Sequence, residues 1–424
     1  MFQLYGPIKS GEPRWPNPYD KIILYLAGDK IIRYIDRDSE TQLLDLQLNT
    51  LRTVRYKYKY MYYSITIHHP QSVPTTYFAG AVDRSDCPYP LGVFYGCEIE
   101  YYKHREEQVN VICVFEDARE SMPGRIYYDA VKDAFIIDSL EGYGNTLFMI
   151  RNGYVKKWKP GYTLPLSHNI ALAIYDDDTL YVIIKHGPQY KYQLEIRKYD
   201  VEEFYENFGK PFLDNYGEQV YVDVSADYEP IHYYALTLAP LRRFISMMNI
   251  NGNESVLIDP ETGDSLRTIP INAWIIGKYG IHRDDTDYYS TKISIQDIES
   301  LTTHQEITLP QSNYPLTYFQ VVDPIFVPVA NWASATLDIY LLTYKGVAPV
   351  IEYDHVNRKI RVVDFITKNP VRAELWVWRS RFCYPRNAFP LGIQPETISV
   401  SDWTPVPSAY RNQCLTFAIK EVSE

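Results

Sequence analysis

Carboxylates are the side chains whose spacing in this sequence comes nearest to a catalytic arrangement. Glycosidases hold two carboxylates a fixed distance apart, one as acid and one as nucleophile or base. Adjacent residues on a strand point to opposite faces, so a consecutive acidic run cannot direct two carboxylates at one sugar. We therefore interpret the acidic runs as solvated turns between strands. The runs are Glu116-Asp117, Asp176-Asp177-Asp178, and Asp284-Asp285 with Asp287.

Histidine and cysteine spacing predicts no metal or nucleophile site. His68-His69 and His282 could bind a metal or transfer protons, but neither place has a second ligand at strand or helix spacing, so both are predicted in surface loops. The five cysteines include no C-x-x-C pair, and we interpret them as small buried side chains. Cys87 and Cys97 flank a short loop and could form a disulfide.

Motifs for nucleotide binding and nucleophilic catalysis are absent from the sequence. It contains no P-loop, no G-x-G-x-x-G fingerprint and no G-x-S-x-G nucleophile elbow. We therefore expect no enzyme activity, no cofactor and no metal.

An alternating aromatic and basic stretch, residues 52–63, is the most distinctive local feature. As a strand it would carry tyrosines on one face and basic residues on the other. That surface could bind single-stranded nucleic acid or an acidic glycan. We favour an edge strand whose tyrosines pack inward while its lysines block aggregation. With two tryptophans that alternate on a later strand, the possible interaction surface comprises Tyr56, Lys57, Tyr58, Lys59, Trp376 and Trp378.

Charge and hydropathy exclude two classes of protein. The net charge of -11 argues against a general nucleic-acid binder, which needs a basic field along the phosphate path. No apolar run approaches the length of about 18 residues that spans a bilayer, and the N-terminus lacks the plan of a signal peptide. We expect a soluble protein that is not exported, with no membrane span.

Short apolar runs separated by Gly, Pro, Asn or Asp predict strands throughout, and the 40 tyrosines suit a pleated surface. One pattern recurs: a strand that ends in Asp, a polar turn, and a second strand. The Asp side chain opens such a turn by accepting a hydrogen bond from the backbone N–H of the residue two positions later. Asn152-Gly153 and Asn251-Gly252 predict tight hairpins, and residues 201–208 predict a short helix. The repeated aspartates are Asp36, Asp129, Asp200, Asp259, Asp297 and Asp354.

Over roughly residues 20–400 this repeat resembles β-propellers in architecture, although it matches no named repeat family. The resemblance implies an all-β ring of six or seven four-stranded blades that engages partners on a loop face. Residues 1–19 would be an N-terminal extension and residues 401–424 a closing segment. A strand at residues 416–419 would pair beside residues 22–26. The proline-rich stretch before it either docks on a partner or crosses one face of the ring.

The tyrosine- and isoleucine-rich composition, with only 20 glycines, is similar to that of proteins from viruses of hyperthermophilic archaea. We hypothesise a non-enzymatic interaction or structural protein that docks other proteins, including virion components, through its loop faces. The alternative is a glycan-binding or glycan-hydrolysing propeller. A nucleic-acid binder is the third choice. The expected location is the virion for a viral protein and the cytoplasm otherwise.

Overall fold

The computed structural model describes most of the chain. The described residues are 1–13, 22–27, 30–35, 40–45, 48–55, 58–67, 75–82, 91–97, 111–113, 125–138, 146–152, 154–158, 170–186, 192–210, 218–224, 234–238, 242–248, 254–268, 274–283, 292–310, 325–331, 336–354, 356–384, 388–408 and 412–423. In them the protein is nearly all-β, with 35 strands and the helix α1 (Val201–Asn207). No helix in these ranges has the length and apolar character needed to cross a bilayer.

Strand β1 (Phe2–Pro13) precedes six consecutive four-stranded antiparallel sheets, each with its strands in chain order. The six sheets are β2–β5 (Ile22–Ala27, Lys30–Ile35, Glu40–Leu44, Thr50–Arg55), β6–β9 (Tyr58–Ile67, Thr75–Val82, Leu91–Cys97, Val111–Cys113), β10–β13 (Ile126–Asp129, Ala134–Ile137, Leu147–Arg151, Tyr154–Trp158), β14–β17 (Ile170–Ile174, Thr179–His186, Tyr192–Asp200, Glu218–Val224), β18–β21 (Tyr234–Leu238, Arg242–Met248, Ser255–Ile258, Ser265–Thr268) and β22–β25 (Trp274–Ile276, Tyr279–Arg283, Lys292–Asp297, Thr302–Thr308).

The remaining strands form smaller sheets and extend one earlier sheet. They are β26 (Ile325–Asn331), β27 (Thr336–Tyr344), β28 (Pro349–Asp354), β29 (Lys359–Asp364), β30 (Pro370–Val371), β31 (Ala373–Ser380), β32 (Phe382–Cys383), β33 (Glu396–Val400), β34 (Thr404–Pro405) and β35 (Cys414–Val422). Their orders are β1-β27-β26, β28-β29-β30 with β34 beside β29, and β33-β31-β35; β32 joins the β10–β13 sheet beside β10.

Aspartate-opened turns connect many of these strands, as the sequence predicts. In four of them the Asp Oδ1 atom accepts hydrogen bonds from the backbone N–H groups two and three residues later, at 2.8–3.4 Å. The residue four positions after the Asp then has a positive φ, such as 52° at Arg358. The four aspartates are Asp129, Asp259, Asp297 and Asp354.

The other predicted local elements have mixed outcomes. Asp200 caps α1 by accepting a hydrogen bond from the N–H of Glu203, so the predicted helix is confirmed. Asn152 has a φ of 51°, and Arg151 pairs with Tyr154, which confirms the first predicted hairpin. Asp36 and residues 251–252 lie outside the described residues.

Apolar side chains fill the spaces between neighbouring sheets. Between β10–β13 and β14–β17, Ile136 and Met149 from one sheet pack with Leu172 and Val182 from the next, and all four are buried. Residues 194–197 in the middle of β16 are all buried, so both faces of this strand are shielded from solvent there.

The chain ends do not pair as expected. Strand β35 pairs with β31, and β2 pairs only with β3 among the described strands, so the predicted closing strand beside residues 22–26 is wrong. The N-terminal strand β1 pairs instead with β27, which places residues 1–13 in a sheet. The C-terminal sheet already begins with β31, so we define residues 373–423 as the C-terminal segment.

The C-terminal segment crosses one end of the sheets. In a four-stranded meander, the first and third connections emerge at one end and the second at the other. The segment contacts first or third connections in several sheets: Ala130 N donates to Arg381 O, Gly392 N to Tyr175 O and Gly277 N to Ile419 O. We call this the turn end and the opposite one the loop end. Of the two alternatives for the C-terminal stretch, these contacts favour the one in which it lies across one end of the sheets.

Connections differ in length between the two ends. At the turn end, β10–β11, β14–β15, β22–β23 and β24–β25 are joined by residues 130–133, 175–178, 277–278 and 298–301. At the loop end, β11–β12, β13–β14, β23–β24 and β25–β26 are joined by residues 138–146, 159–169, 284–291 and 309–324. Two connections at the turn end are long exceptions: β8–β9 (residues 98–110) and β16–β17, which contains α1; the β5–β6 connection (residues 56–57) is a short exception at the loop end.

The positive φ of Arg358 makes the β28–β29 turn a test of the aspartate-turn geometry. An L-residue in this conformation costs roughly 1–2 kcal/mol, partly offset by the entropy cost of glycine. We expect Arg358→Gly to raise the free energy of unfolding by about 0.5–1 kcal/mol. The control is Val356→Gly, in the same turn at ordinary φ, which should lower it. Urea unfolding measures both, and equal effects would contradict the turn geometry.

Candidate functional site

A buried ion pair joins the C-terminal segment to the β10–β13 sheet. Asp129 ends β10, and its side chain is fully buried. Its Oδ2 accepts from Arg381 Nη2 at 2.8 Å, and its Oδ1 accepts from Arg381 Nε at 3.2 Å. The same Oδ1 also accepts hydrogen bonds from the backbone N–H groups of Val131 and Lys132 in the aspartate turn. One carboxylate therefore shapes its own turn and anchors a guanidinium that lies 252 residues away in sequence.

Glu202 extends this pair to helix α1. Arg381 Nη1 donates to Glu202 Oε1 at 2.8 Å, and Lys132 pairs with the same carboxylate. These two side-chain hydrogen bonds lower the pKa of Glu202. Helix α1 thus supplies the carboxylate that accepts a hydrogen bond from Nη1, the guanidinium nitrogen that does not bind Asp129.

Asp177 binds the side chain of Ser380 and the backbone of Arg381. Its Oδ1 accepts from Ser380 Oγ at 2.6 Å and from Arg381 N at 2.9 Å. Burial raises the pKa of Asp177, while these hydrogen bonds lower it. We call Asp129, Asp177, Glu202, Ser380 and Arg381 the clasp.

The outcome for residues 176–178 follows from these contacts. Asp176 Oδ1 accepts from the N–H groups of Asp178 and Thr179, so the predicted hairpin turn is confirmed. No local pattern indicates the role of Asp177, because its partners lie more than 200 residues away in the chain.

A disulfide reinforces the clasp. Cys383 and Cys414 are bonded, with 5.2 Å between their Cα atoms, and both are buried. Cys383 pairs with Tyr128 in the β10–β13 sheet, and Cys414 pairs with Ser380 in the C-terminal sheet. The interpretation of these two cysteines as unbonded buried side chains is therefore wrong. Cys87 lies outside the described residues, as does the side chain of Cys97.

A second buried carboxylate joins the β10–β13 and β14–β17 sheets. Asp138 is fully buried and accepts from Arg125 N at 2.5 Å and from Leu172 N at 3.0 Å. Burial raises the pKa of Asp138 to about 7, against the opposing effects of the Arg125 charge and the two N–H donors. Its N–H donors come from two sheets, so Asp138 fixes their spacing.

The predicted surface residues are not brought together as one exposed patch. Trp376 and Trp378 are 5% and 0% exposed, and they pack with Leu257, Phe389 and Ala418. Their expected part in an interaction surface is wrong, because the C-terminal sheet turns both indoles into the core. Tyr56 and Lys57 lie outside the described residues. Tyr58 and Lys59 belong to β6, and their side chains also lie outside the description.

The other candidate ligands give no described centre. Residues 68–69, 116–117 and 284–287 lie outside the described residues. His282 lies within strand β23, so its predicted loop position is wrong. The part of the chain that the structure describes holds no group of three or more His, Cys, Asp or Glu residues placed to bind a metal ion.

Removing the clasp guanidinium tests the energetics of the site. Arg381→Met leaves the Asp129 carboxylate buried and uncompensated, so we expect the free energy of unfolding to fall by about 3–5 kcal/mol. Asp129→Asn together with Arg381→Met should cost less than the sum of the two single changes, because the pair is lost once. Guanidinium unfolding measures the cycle. Strict additivity would show that the two side chains do not interact.

Asp138 makes a pH-dependent contribution to stability. Its carboxyl group holds a proton more tightly when folded, pKa about 7, than when unfolded, pKa about 4. Its contribution is therefore present below about pH 4 and is lost as pH rises to about 7. We expect the unfolding free energy of the wild type to fall relative to that of Asp138→Asn across this window. Urea unfolding at each pH gives the difference, and a difference that does not change with pH would contradict the shift.

Comparisons with known proteins give only distant structural likenesses. No family model matches the chain, and no curated protein matches it. Among solved structures, the chain is similar to the dihydro-heme d1 dehydrogenase NirN (12% identity, 90% of this chain, 77% of that chain, TM-score 0.40). It is also similar to AztD from Citrobacter koseri (9%, 89%, 98%, 0.34). A third likeness is to a member of the DUF4221 family from Bacteroides vulgatus (10%, 53%, 71%, 0.30).

Proposed function

We propose that this chain is a non-enzymatic interaction protein, a β-propeller that docks a partner protein through its loop end. The six meanders would form six blades. The β1-β27-β26 and β28-β29-β30 sheets would supply two more. This proposal has eight blades, more than the six or seven expected from the sequence. Two of them lack a repeated aspartate: β6–β9, which lies in the long interval between Asp36 and Asp129, and β1-β27-β26.

The difference between the two ends of the sheets carries the proposal. The turn end has short connections, and the protein's own C-terminal segment lies across it, held by the clasp and the disulfide. The loop end carries longer connections from the same sheets. Binding residues concentrate on loops that a rigid scaffold positions, so the loop end is the favoured docking face.

Close packing at the turn end supports the same assignment. Gly277 has a φ of 56°, and a Cβ atom there would lie 2.3 Å from Lys420 O. Backbone-to-backbone approach of this kind leaves no space for a partner between the β22–β23 turn and β35. The surface of the turn end therefore belongs largely to the C-terminal segment itself.

Three acids among the described residues bind groups from other sheets or from the C-terminal segment. Asp129 binds Arg381, Asp138 binds N–H groups of two sheets, and Asp177 binds Ser380. These contacts give each acid a structural role and support a scaffold. A virion component as the partner remains a proposal that rests on composition alone.

Site-specific photocrosslinking tests which end binds the partner. A benzophenone side chain is introduced at Tyr162 or Tyr288, in two loop-end connections, and at Val131 or Val356, exposed positions of the turn end. In the cells or particles that produce the chain, we expect one discrete protein adduct from the loop-end probes and none from the turn-end probes.

Three results would contradict the proposal. The first is an adduct only from Val131 or Val356. The second is a chain that sediments as a free monomer in native extracts with no adduct from any probe. The third is selective binding on a glycan array without a protein adduct, which would favour the glycan-binding alternative.

A further inference from the structure

A groove beside the N-terminal strand has an apolar wall and a single cation. Its volume is about 740 Å³, within the size range of small-molecule sites. Its lining includes apolar side chains and the β1 bulge: residues 4–8, Leu341, Phe365 and Ile366. Lys368 is the one charged residue among those that line it.

A bulge in β1 opens the groove. Tyr5 pairs with Leu341 and Lys9 with Ile339, so three residues of β1 stand opposite one of β27. Gly6, within this bulge, has a φ of 123°, a conformation that side chains rarely adopt. The bulge therefore moves the backbone of β1 away from its regular course beside β27 and leaves the groove between β1 and residues 365–368.

The turn that carries Lys368 is fixed by Asp364. The Asp364 carboxylate accepts from the N–H groups of Ala348, Ile366 and Thr367 and from Thr367 Oγ1. Lys368 N donates to Asp364 O at 2.8 Å. Lys368 Nζ lies 3.7 Å from the centre of the Phe365 ring, so the cation stands over an aromatic surface at the groove.

The acids nearest to Lys368 are already occupied. Asp364 holds its own turn, and Glu352 accepts from Arg361 Nε at 2.7 Å. Within the described residues Lys368 forms no ion pair. Partial burial lowers the pKa of Lys368, although Asp364 and Glu352 raise it. Lys368 is exposed to solvent, so an anion that enters the groove can approach its ammonium group directly.

We propose that this groove binds a small carboxylate with an apolar body. The carboxylate meets Lys368 Nζ, and the apolar body lies against Leu4, Leu341 and Ile366. The proposal rests on the groove's own lining, so it does not depend on the docking function proposed above.

Octanoate is the probe, and 1-octanol and acetate are its controls. Calorimetric titration of the full chain should show octanoate binding, with acetate and octanol at least about tenfold weaker, because each lacks one half of the recognition. Lys368→Met, which keeps the apolar stem, should weaken octanoate binding about tenfold or more. The matched control Lys292→Met removes an exposed lysine of the β22–β25 sheet and should leave binding unchanged.

A second variant separates binding from folding. Tyr5→Glu places a carboxylate in the groove lining at an exposed position, so it should abolish octanoate binding while the urea unfolding midpoint stays close to that of the wild type. Equal octanoate binding by Lys368→Met and the wild type would overturn the proposal. So would octanol binding as tightly as octanoate, or no binding of either. A dimer whose formation competes with octanoate would assign the groove to a second copy of the chain and would also overturn it.

Discussion

The pairing of Arg381 with Asp129 is the interaction on which the arrangement of this protein depends. Asp129 is buried with no solvent to stabilise its charge, and Arg381 supplies two hydrogen bonds to it while its third arm reaches Glu202. A buried carboxylate without such a partner is costly, so the C-terminal segment and the β10–β13 sheet stabilise each other. The segment in turn lies across turns of the neighbouring sheets.

The clasp also explains why the two ends of the sheets differ. Asp129 and Asp177 lie at the first connections of adjacent sheets. Asp129 binds the Arg381 side chain and pairs with Phe382. Asp177 binds the Ser380 hydroxyl and the Arg381 backbone N–H. Short turns fixed by aspartate hydrogen bonds present such groups at constant positions. The longer connections of the β10–β13 and β22–β25 sheets lie at the other end.

Local features were predictable from the sequence because they depend on neighbouring residues. The aspartate turns at Asp259 and Asp354, the hairpin at Asn152 and the cap at Asp200 each involve partners at most three or four residues away. The all-β class follows from the same local patterns. The site was not predictable in this way. Asp177 and Asp129 read as turn residues in the sequence, and only the fold brings Ser380 and Arg381 to them.

Burial accounts for the predictions that were wrong. Trp376 and Trp378 alternate with Val377 in a way typical of a half-exposed strand, but β31 has β33 and β35 on either side and a core on each face. The closing strand beside residues 22–26 also failed, because β31 offers β35 a longer partner. Cys383 and Cys414 have no C-x-x-C signature, since a disulfide needs only that the fold bring two Cα atoms to about 5–6 Å.

Hydrogen exchange of the intact chain tests the central claim most directly. If the clasp holds the C-terminal segment on the turn end, backbone amides of β31 and β35 exchange as slowly as those of β11 and β12, which lie inside the β10–β13 sheet. Fast exchange throughout β31 and β35 while β11 and β12 remain protected would show that the segment is not part of the same stable unit.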